Sequence, residues 1–226
     1  MIRFGIQTGR VEYDPTYALK GALLPIEVKH RAALTEETAF GRLLAAIDER
    51  QGWPSLTAIL QFLALTFVRP GEARYAQWTE IKGNVWQIPA ERMKMRRPHD
   101  VPLSKQALVI LEKIRELSGH CKLIFPAIRT MNRPLSDNAM NAALRGLGYT
   151  KEQQTAHGFR ACASSILNTR AFREDVIEFQ LALMQRRTRA AHPITGRSIG
   201  MSAWHSCRIG PISVTSSSVR SATTAI

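Results

Sequence analysis

Residues Leu56-Thr-Ala-Ile-Leu-Gln-Phe-Leu-Ala-Leu-Thr-Phe67 form a run that is apolar nearly all round a helix. A helix without a polar face has to be buried on most sides, so the chain must fold as a compact domain around this segment. The helix must stop at Arg69, because Pro70 disfavours helical geometry in the residue before it. Pro70 then suits the first turn of a new helix, which we expect to run through Ala76. With 226 residues and 45% hydrophobic content, the chain can bury one full core.

Capping residues and apolar spacing predict further helices on both sides of this segment. They are a helix capped by Thr35, one capped by Ser104, one that starts at Ser136 and Asp137 and ends near Leu147, and two more over residues 157–168 and 173–181. Two short β-like runs, residues 85–88 and 101–103, flank a basic segment and predict a hairpin with a cationic tip. The predicted fold class is therefore mainly α with a small antiparallel β-sheet (α+β).

Composition divides the chain into three parts. Residues 1–32 have a turn-and-linker composition and too little apolar surface for a core, and residues 33–182 carry the periodic segments. Residues 183–226 contain no Asp or Glu, six arginines and a Ser/Thr-rich ending. We expect this basic tail to be disordered or loosely attached.

A net charge of +13 and a pI near 10.4 favour a polyanionic partner. The chain has no apolar run of the roughly 18 to 20 residues that a membrane span needs, and its start lacks a signal-peptide core. Cys121, Cys162 and Cys207 lack the paired spacing of a zinc site or a disulfide framework. We expect a soluble, cytoplasmic protein without a metal, with no membrane partner.

Two short motifs carry candidate chemistry. Attack on a DNA phosphodiester develops negative charge on the non-bridging oxygens, and guanidinium groups supply paired N–H donors for them. Arg69 in Arg69-Pro-Gly-Glu72 and Arg160 in His157-Gly-Phe-Arg160 are the candidates. One helical turn places His157 and Arg160 on the same face. The alternative for Arg69 is structural, since an arginine at a helix junction usually pairs with a nearby acid such as Glu72.

These motifs belong to an ordered series that resembles the tyrosine recombinases of the phage integrase family, the type carried by prophages and genomic islands. The series consists of Leu63-Ala-Leu-Thr-Phe-Val-Arg-Pro-Gly-Glu72, Ile88-Pro-Ala-Glu-Arg-Met-Lys-Met-Arg-Arg-Pro-His99, Pro134-Leu-Ser-Asp-Asn138 and Gly146-Leu-Gly-Tyr149, followed by His157-Gly-Phe-Arg160. The resemblance covers roughly residues 1–182. It implies the recombinase catalytic-domain fold over residues 33–182, preceded by a remnant of the core-binding domain.

The resemblance also implies roles for particular residues. Arg69 and Arg160 would hold the scissile phosphate, His157 would assist there, and Lys94 would be the general acid. The alternative for Lys94 is that it is solvated or only touches phosphate. The residues expected to bind DNA around it are Arg92, Arg96, Arg97 and His99. The implied partners are double-stranded DNA attachment sites and other integrase protomers, and no metal or other cofactor is implied because the arginines supply the positive charge.

The sequence departs from the family after Arg160. The family's nucleophilic tyrosine follows its second arginine by a few tens of residues, but the only tyrosines here, Tyr13, Tyr17, Tyr75 and Tyr149, all precede His157. Where the family has Leu-Ala-His, this chain has Leu181-Ala-Leu183. The coding sequence can also be read in a shifted frame, in which the third base of each codon joins the first two bases of the next. In that frame, the codons of residues 200–213 are compatible with D-E-R-V-A-F-M-Q-D-W-A-D and a stop, which resembles the family's ending. We infer a frame change at about Leu183.

The resemblance and its departures predict a DNA-binding remnant of a site-specific integrase, shortened at its N-terminus. The family integrates and excises DNA through a 3′-phosphotyrosine, and a chain without that tyrosine is expected to be inactive. A second hypothesis is a non-catalytic DNA-binding protein that modulates an intact integrase. A third is a non-functional pseudogene product that folds poorly.

Overall fold

The structure, a computed structural model, describes residues 2–17, 32–93 and 95–182. The chain divides into two compact units, Met1–His30 and Arg31–Ile226. In the first unit, helix α1 (Ile2–Gln7) is followed by a turn in which the Arg10 and Val11 N–H groups donate to the Gly5 carbonyl. The expected disorder of residues 183–226 concerns residues outside the described part of the chain.

The second unit is built of helices and one small sheet. Its helices are α2 (Glu37–Asp48), α3 (Pro54–Thr66), α4 (Pro70–Arg74), α5 (Lys105–Ser118), α6 (Ala139–Gly146), α7 (Gly158–Thr169) and α8 (Glu174–Gln180). Its strands are β1 (Ile81–Lys82), β2 (Val85–Ile88) and β3 (His99–Pro102), and short 3₁₀ turns lie at Trp78–Glu80 and Ala90–Arg92. The predicted class, mainly α with a small antiparallel sheet, is confirmed.

Helix α3 is the centre of the core, as its apolar sequence predicts. It packs against α2, α4, α5 and α6, and eight of its thirteen residues are buried. The Phe62 ring lies 5.5 Å from the Trp86 ring of β2 and 5.4 Å from the Phe125 ring, measured between centroids. The sheet and the α5–α6 connection are therefore both fixed to α3.

Helix α4 begins at Pro70 as predicted, whereas α3 ends at Thr66, before the expected stop at Arg69. Phe67 ends α3 in a left-handed conformation (φ +57°), and its N–H donates to the Leu63 carbonyl at 2.9 Å. Arg69 is the extended N-cap of α4, and Pro70 is the first helical residue. α4 ends at Arg74, two residues before the expected Ala76. The cap conformation turns the chain so that Arg69 stands at the start of a short helix.

The sheet order is β1-β2-β3, antiparallel throughout. Trp86 pairs with Val101 and Ile88 pairs with His99, so β3 starts two residues earlier than the sequence predicts. Strand β1 was not predicted, because two residues are too few to display a period. Ser104 caps α5 as expected, accepting a hydrogen bond from the Ala107 N–H at 3.0 Å.

The predicted Thr35 cap is wrong. Helix α2 begins at Glu37, and Glu36 takes the N-cap position without a side-chain capping bond. The cause is a distant contact: the Leu34 N–H donates to Oε1 of the buried Gln154 at 2.9 Å, which holds the entering chain extended against the segment before α7.

Candidate functional site

A cleft of about 430 Å³ opens where four stretches of chain converge: the start of α4, the Ala90–Arg92 turn, the start of α6 and the residues before α7. Its lining residues are Arg69, Pro70, Gly71, Glu72, Arg92, Asp137, Asn141, Thr155, Ala156 and His157. Candidate residues that are about ninety apart in the sequence, Arg69 and His157, thus line one cavity.

Glu72 fixes Arg69 at two points. Glu72 Oε2 accepts the Arg69 backbone N–H at 2.8 Å, and Oε1 accepts Arg69 Nη1, also at 2.8 Å. The Glu72 side chain is 4% exposed and the Arg69 side chain 21%. The structural alternative, pairing with Glu72, is therefore present. Arg69 nevertheless lines the cleft. Its guanidinium has five N–H donors, and the Glu72 carboxylate takes only one of them.

Arg160 lies behind the cleft and is 9% exposed. Its Nη1 donates to the Phe67 carbonyl at 2.6 Å, and its Nη2 donates to the Leu181 carbonyl. Both carbonyls lie at helix C-termini, where a cation is favoured by the helix dipole. Burial and, after it, the charge of Arg69 lower the pKa of Arg160 to about 10, while Glu72 acts in the opposite direction. Arg160 therefore stays cationic at neutral pH, close enough to Arg69 for their charges to interact.

His157 is the N-cap residue of α7 and is half-buried in the cleft wall. The chain before it is held by two hydrogen bonds. Asn141 Oδ1 accepts the Ala156 N–H at 2.9 Å, and Thr155 Oγ1 accepts the Gly158 N–H at 3.0 Å. The backbone that presents the imidazole to the cleft is therefore fixed to α6 on one side and to its own helix on the other.

The basic hairpin divides into an inner and an outer part. Arg92 lines the cleft, forms an ion pair with Glu80 and donates to the Tyr75 carbonyl. Arg96 and Arg97 are exposed, and Arg96 has a left-handed backbone (φ +49°). Lys94 lies outside the described residues. Arg96 and Arg97 are thus available to solvent, whereas the guanidinium of Arg92 is already paired.

His99, predicted from the sequence to contact DNA, lies in the interior. It is 9% exposed, and its ring packs edge-on against Phe179 with centroids 6.1 Å apart. Among the described residues its Nε2 has no hydrogen-bond partner. Burial lowers the pKa of His99, Arg160 acts in the same direction, and the Gln180 backbone, Glu72 and Asp100 oppose them. The alternation of side chains along a strand could have predicted this burial, because His99 lies on the same face of β3 as the buried Val101.

Sequence reasoning missed three polar residues of the cleft wall, Asp137, Asn141 and Thr155. Asn141 carries a weak signal, since it is a polar side chain on the alanine-rich helix α6. Asp137 forms an ion pair with Arg74, whose Nε also donates to the Leu135 carbonyl at 2.6 Å. The pairing fastens this wall of the cleft to α4.

Within residues 2–17, 32–93 and 95–182, no group of three or more His, Cys, Asp or Glu side chains is placed to hold a metal ion. Cys162 is buried, and burial raises its pKa to about 11, so its thiol is not a nucleophile at neutral pH. In the same part of the chain, no helix combines the length and apolar character needed to cross a membrane. The cleft offers fixed cations and an imidazole, which is a set of groups suited to an oxyanion.

Comparison with known proteins identifies relatives of this chain. Residues 34–183 match the sequence pattern of the phage integrase family. The IntB protein of Escherichia coli strain K12 is 36% identical over 209 residues, which cover 85% of this chain and 52% of IntB. The integrase of Enterobacteria phage P4 is 33% identical over 209 residues, covering 85% of this chain and 47% of that integrase. The chain therefore spans about half the length of these two relatives.

The fold resembles that of a lambda integrase dimer solved in complex with a COC′ core site. The two structures share 18% sequence identity and superpose with a TM-score of 0.56. The superposition covers 80% of this chain and 52% of the lambda integrase chain. At this identity the likeness concerns the fold.

Proposed function

This chain belongs to the phage integrase family, and from that premise we propose that its cleft holds a phosphate of double-stranded DNA without cutting the strand. Arg69 and His157 would donate hydrogen bonds to the phosphate, and the buried Arg160 behind them would add positive charge. Lys94, which corresponds to the family's general acid, would contact the same phosphate. Arg96 and Arg97 of the hairpin would contact neighbouring phosphates.

The observation that carries this proposal is the fixed position of Arg69. Its carboxylate partner Glu72 is buried and binds both its backbone and its side chain at 2.8 Å, so the guanidinium is oriented before any anion arrives. A preoriented donor binds an oxyanion without losing further conformational freedom. Arg160 is 9% exposed and does not line the cleft, but its positive charge lies close enough to Arg69 to add to the attraction for a phosphate.

The absence of cleavage follows from the tyrosines. Residues 161–226 contain no tyrosine, and no tyrosine is among the residues that line the cleft. Burial raises the pKa of Tyr149, which disfavours the phenolate that would attack phosphorus. Tyr75 follows α4, is exposed and stacks with the guanidinium of Arg74. Without an attacking hydroxyl, positioned arginines cannot open the two-step covalent route.

A plasmid assay tests both halves of the proposal. The full chain is incubated with supercoiled plasmid, and samples are run natively and after treatment with a denaturing detergent. We expect retarded DNA in the native gel, no relaxed plasmid and no protein bound covalently after denaturation. An Arg69→Gln variant should bind more weakly. Relaxed DNA or a covalent adduct would contradict the absence of cleavage, and unretarded DNA at low salt would contradict binding.

The origin of the chain forms part of the same proposal. The family match ends at residue 183, which is where the shifted reading of the codons begins to resemble an integrase ending. We therefore assign the chain to a prophage or genomic-island integrase gene with a frame change at that point. Sequencing the gene across codons 178–214 tests this. An uninterrupted family ending in the reading frame of the chain would contradict it.

Occupying DNA without cutting it also favours a second candidate function, interference with an intact integrase. Added to a recombination reaction of an intact relative, the chain should then lower the yield of product. The Arg69→Gln variant should lower it less. An unchanged yield at saturating chain would remove this second function and leave phosphate binding untouched.

A further inference from the structure

A closed loop beside the cleft has no role in the site described above. The basic loop, residues 127–133 (Ala-Ile-Arg-Thr-Met-Asn-Arg), is joined at its base by an antiparallel bridge between Pro126 and Pro134. Inside it, the Ala127 N–H donates to the Arg133 carbonyl at 2.8 Å, and the Arg133 N–H donates to the Thr130 carbonyl at 3.0 Å. These bonds and the bridge close the loop at its base.

The residues next to the basic loop are hydrogen-bonded to the N-cap residue of α3 on one side and to α4 on the other. Trp53 Nε1 donates to the Pro126 carbonyl at 3.2 Å, and Nε of the buried Arg74 donates to the Leu135 carbonyl at 2.6 Å. Arg74 closes the same short helix that Arg69 opens. Arg133 lies four residues from Asp137 in the cleft wall, so their Cα atoms are at most about 14 Å apart. The loop therefore has a fixed place near the cleft.

The exposed side chains of the basic loop fit one kind of partner. Arg129 and Arg133 are exposed, and among the described residues neither forms an ion pair. Ile128, next to Arg129, is 63% exposed. The loop contains no acidic residue. Exposed cations on the same loop as a solvent-exposed aliphatic side chain match a DNA backbone, in which phosphates alternate with apolar deoxyribose faces.

We propose that the basic loop is a second DNA contact, in which Arg129 and Arg133 bind phosphates and Ile128 packs on a neighbouring sugar. The inference rests on the proposed phosphate binding in the cleft. Successive phosphates of one strand advance about 3.4 Å along the helix axis, so the limit of about 14 Å between Arg133 and Asp137 corresponds to at most about four of them. Arg133 would therefore contact the backbone within about half a helical turn of the phosphate in the cleft.

The test is the affinity of the full chain for a short duplex, measured by fluorescence anisotropy between about 50 and 200 mM salt. Each arginine that binds a phosphate contributes about 0.9 to the slope of log affinity against log salt. We expect Arg129→Ala and Arg133→Ala each to reduce that slope by about 0.9. Ile128→Ala should weaken binding several-fold and leave the slope unchanged, because its contact is apolar.

The matched control is Lys113→Ala, an exposed cation on α5, which packs on α3 and forms no wall of the cleft. It should leave slope and affinity near those of the unaltered chain. Thermal melting of each loop variant should be unchanged, since all three side chains are exposed. Loop variants that bind like the control, while Arg69→Gln binds weakly, would overturn this inference alone. If the unaltered chain binds no duplex at low salt, the proposed function fails with it.

Discussion

The buried carboxylate of Glu72 should be essential to the stability of the cleft. In the variant Glu72→Gln the side chain keeps its size and one oxygen, which can still accept one of the two hydrogen bonds from Arg69. The other oxygen is replaced by an NH₂ group, which donates and so faces donors. The negative charge beside Arg69 and Arg160 is lost as well.

The size of the effect follows from the burial of the two partners. Removing one partner of a fully buried ion pair costs about 3–5 kcal/mol, and a hydrogen bond to a charged group contributes about 1.5–3 kcal/mol. The Arg69 side chain is 21% exposed, so water screens part of the interaction. We expect Glu72→Gln to lower the free energy of unfolding by about 2–3 kcal/mol, which for a domain of this size lowers Tm by roughly 5–10 °C.

The assay is chemical and thermal unfolding followed by circular dichroism. The matched control is Glu116→Gln on the exposed face of α5, which should change stability by less than about 0.5 kcal/mol. A double-mutant cycle with Arg69→Gln isolates the pair and should give a coupling of about 1–3 kcal/mol. Strictly additive effects, or a Glu72→Gln variant as stable as the control, would refute the claim that Glu72 orients Arg69.

Three further predictions concern the surroundings of the site. Gly158→Ala should destabilise the fold by about 1–3 kcal/mol, because a Cβ there would lie 2.3 Å from the Ala32 carbonyl oxygen. The control Gly146→Ala should be tolerated, since a Cβ at that position has nothing within 4 Å. Urea unfolding of both variants checks this. Burial lowers the pKa of His99, so on acidification the unfolded chain takes up a proton at a higher pH than the folded chain does. The free energy of unfolding should therefore fall as the pH drops below about 6.5. In the variant His99→Leu this fall should be smaller by the contribution of His99. Cys162 should react with a thiol reagent at pH 8 only after unfolding, as peptide mass mapping would reveal, because it is buried and its pKa is raised.

Local signals were enough to predict most of the framework. Pro70 opens α4 at the expected residue, and the Ser104 side chain caps α5 with a bond of 3.0 Å. These features depend on a few neighbouring residues, so the sequence displays them directly. The failure at Thr35 has the opposite cause. The Leu34 N–H is bound to Gln154, 120 residues further on, and a contact at that separation overrides the local preference.

Some of the predicted site residues share one cavity, and the roles assigned to them stay predictions. The motifs name Arg69 and His157, and both line the cleft. They do not reveal that Arg160 lies behind it, because its partners are the carbonyls of Phe67 and Leu181, which any residue type would provide. His99 looks like part of a basic tip until the period of β3 is applied, which turns its ring to the interior.

The most direct test of phosphate binding is a crystal structure of the full chain with duplex DNA. We predict a backbone phosphate in the cleft with its non-bridging oxygens about 3 Å from side-chain nitrogens of Arg69 and His157, and an intact strand at that phosphate. Duplex bound elsewhere on the chain, with the cleft free of phosphate, would contradict the proposed function.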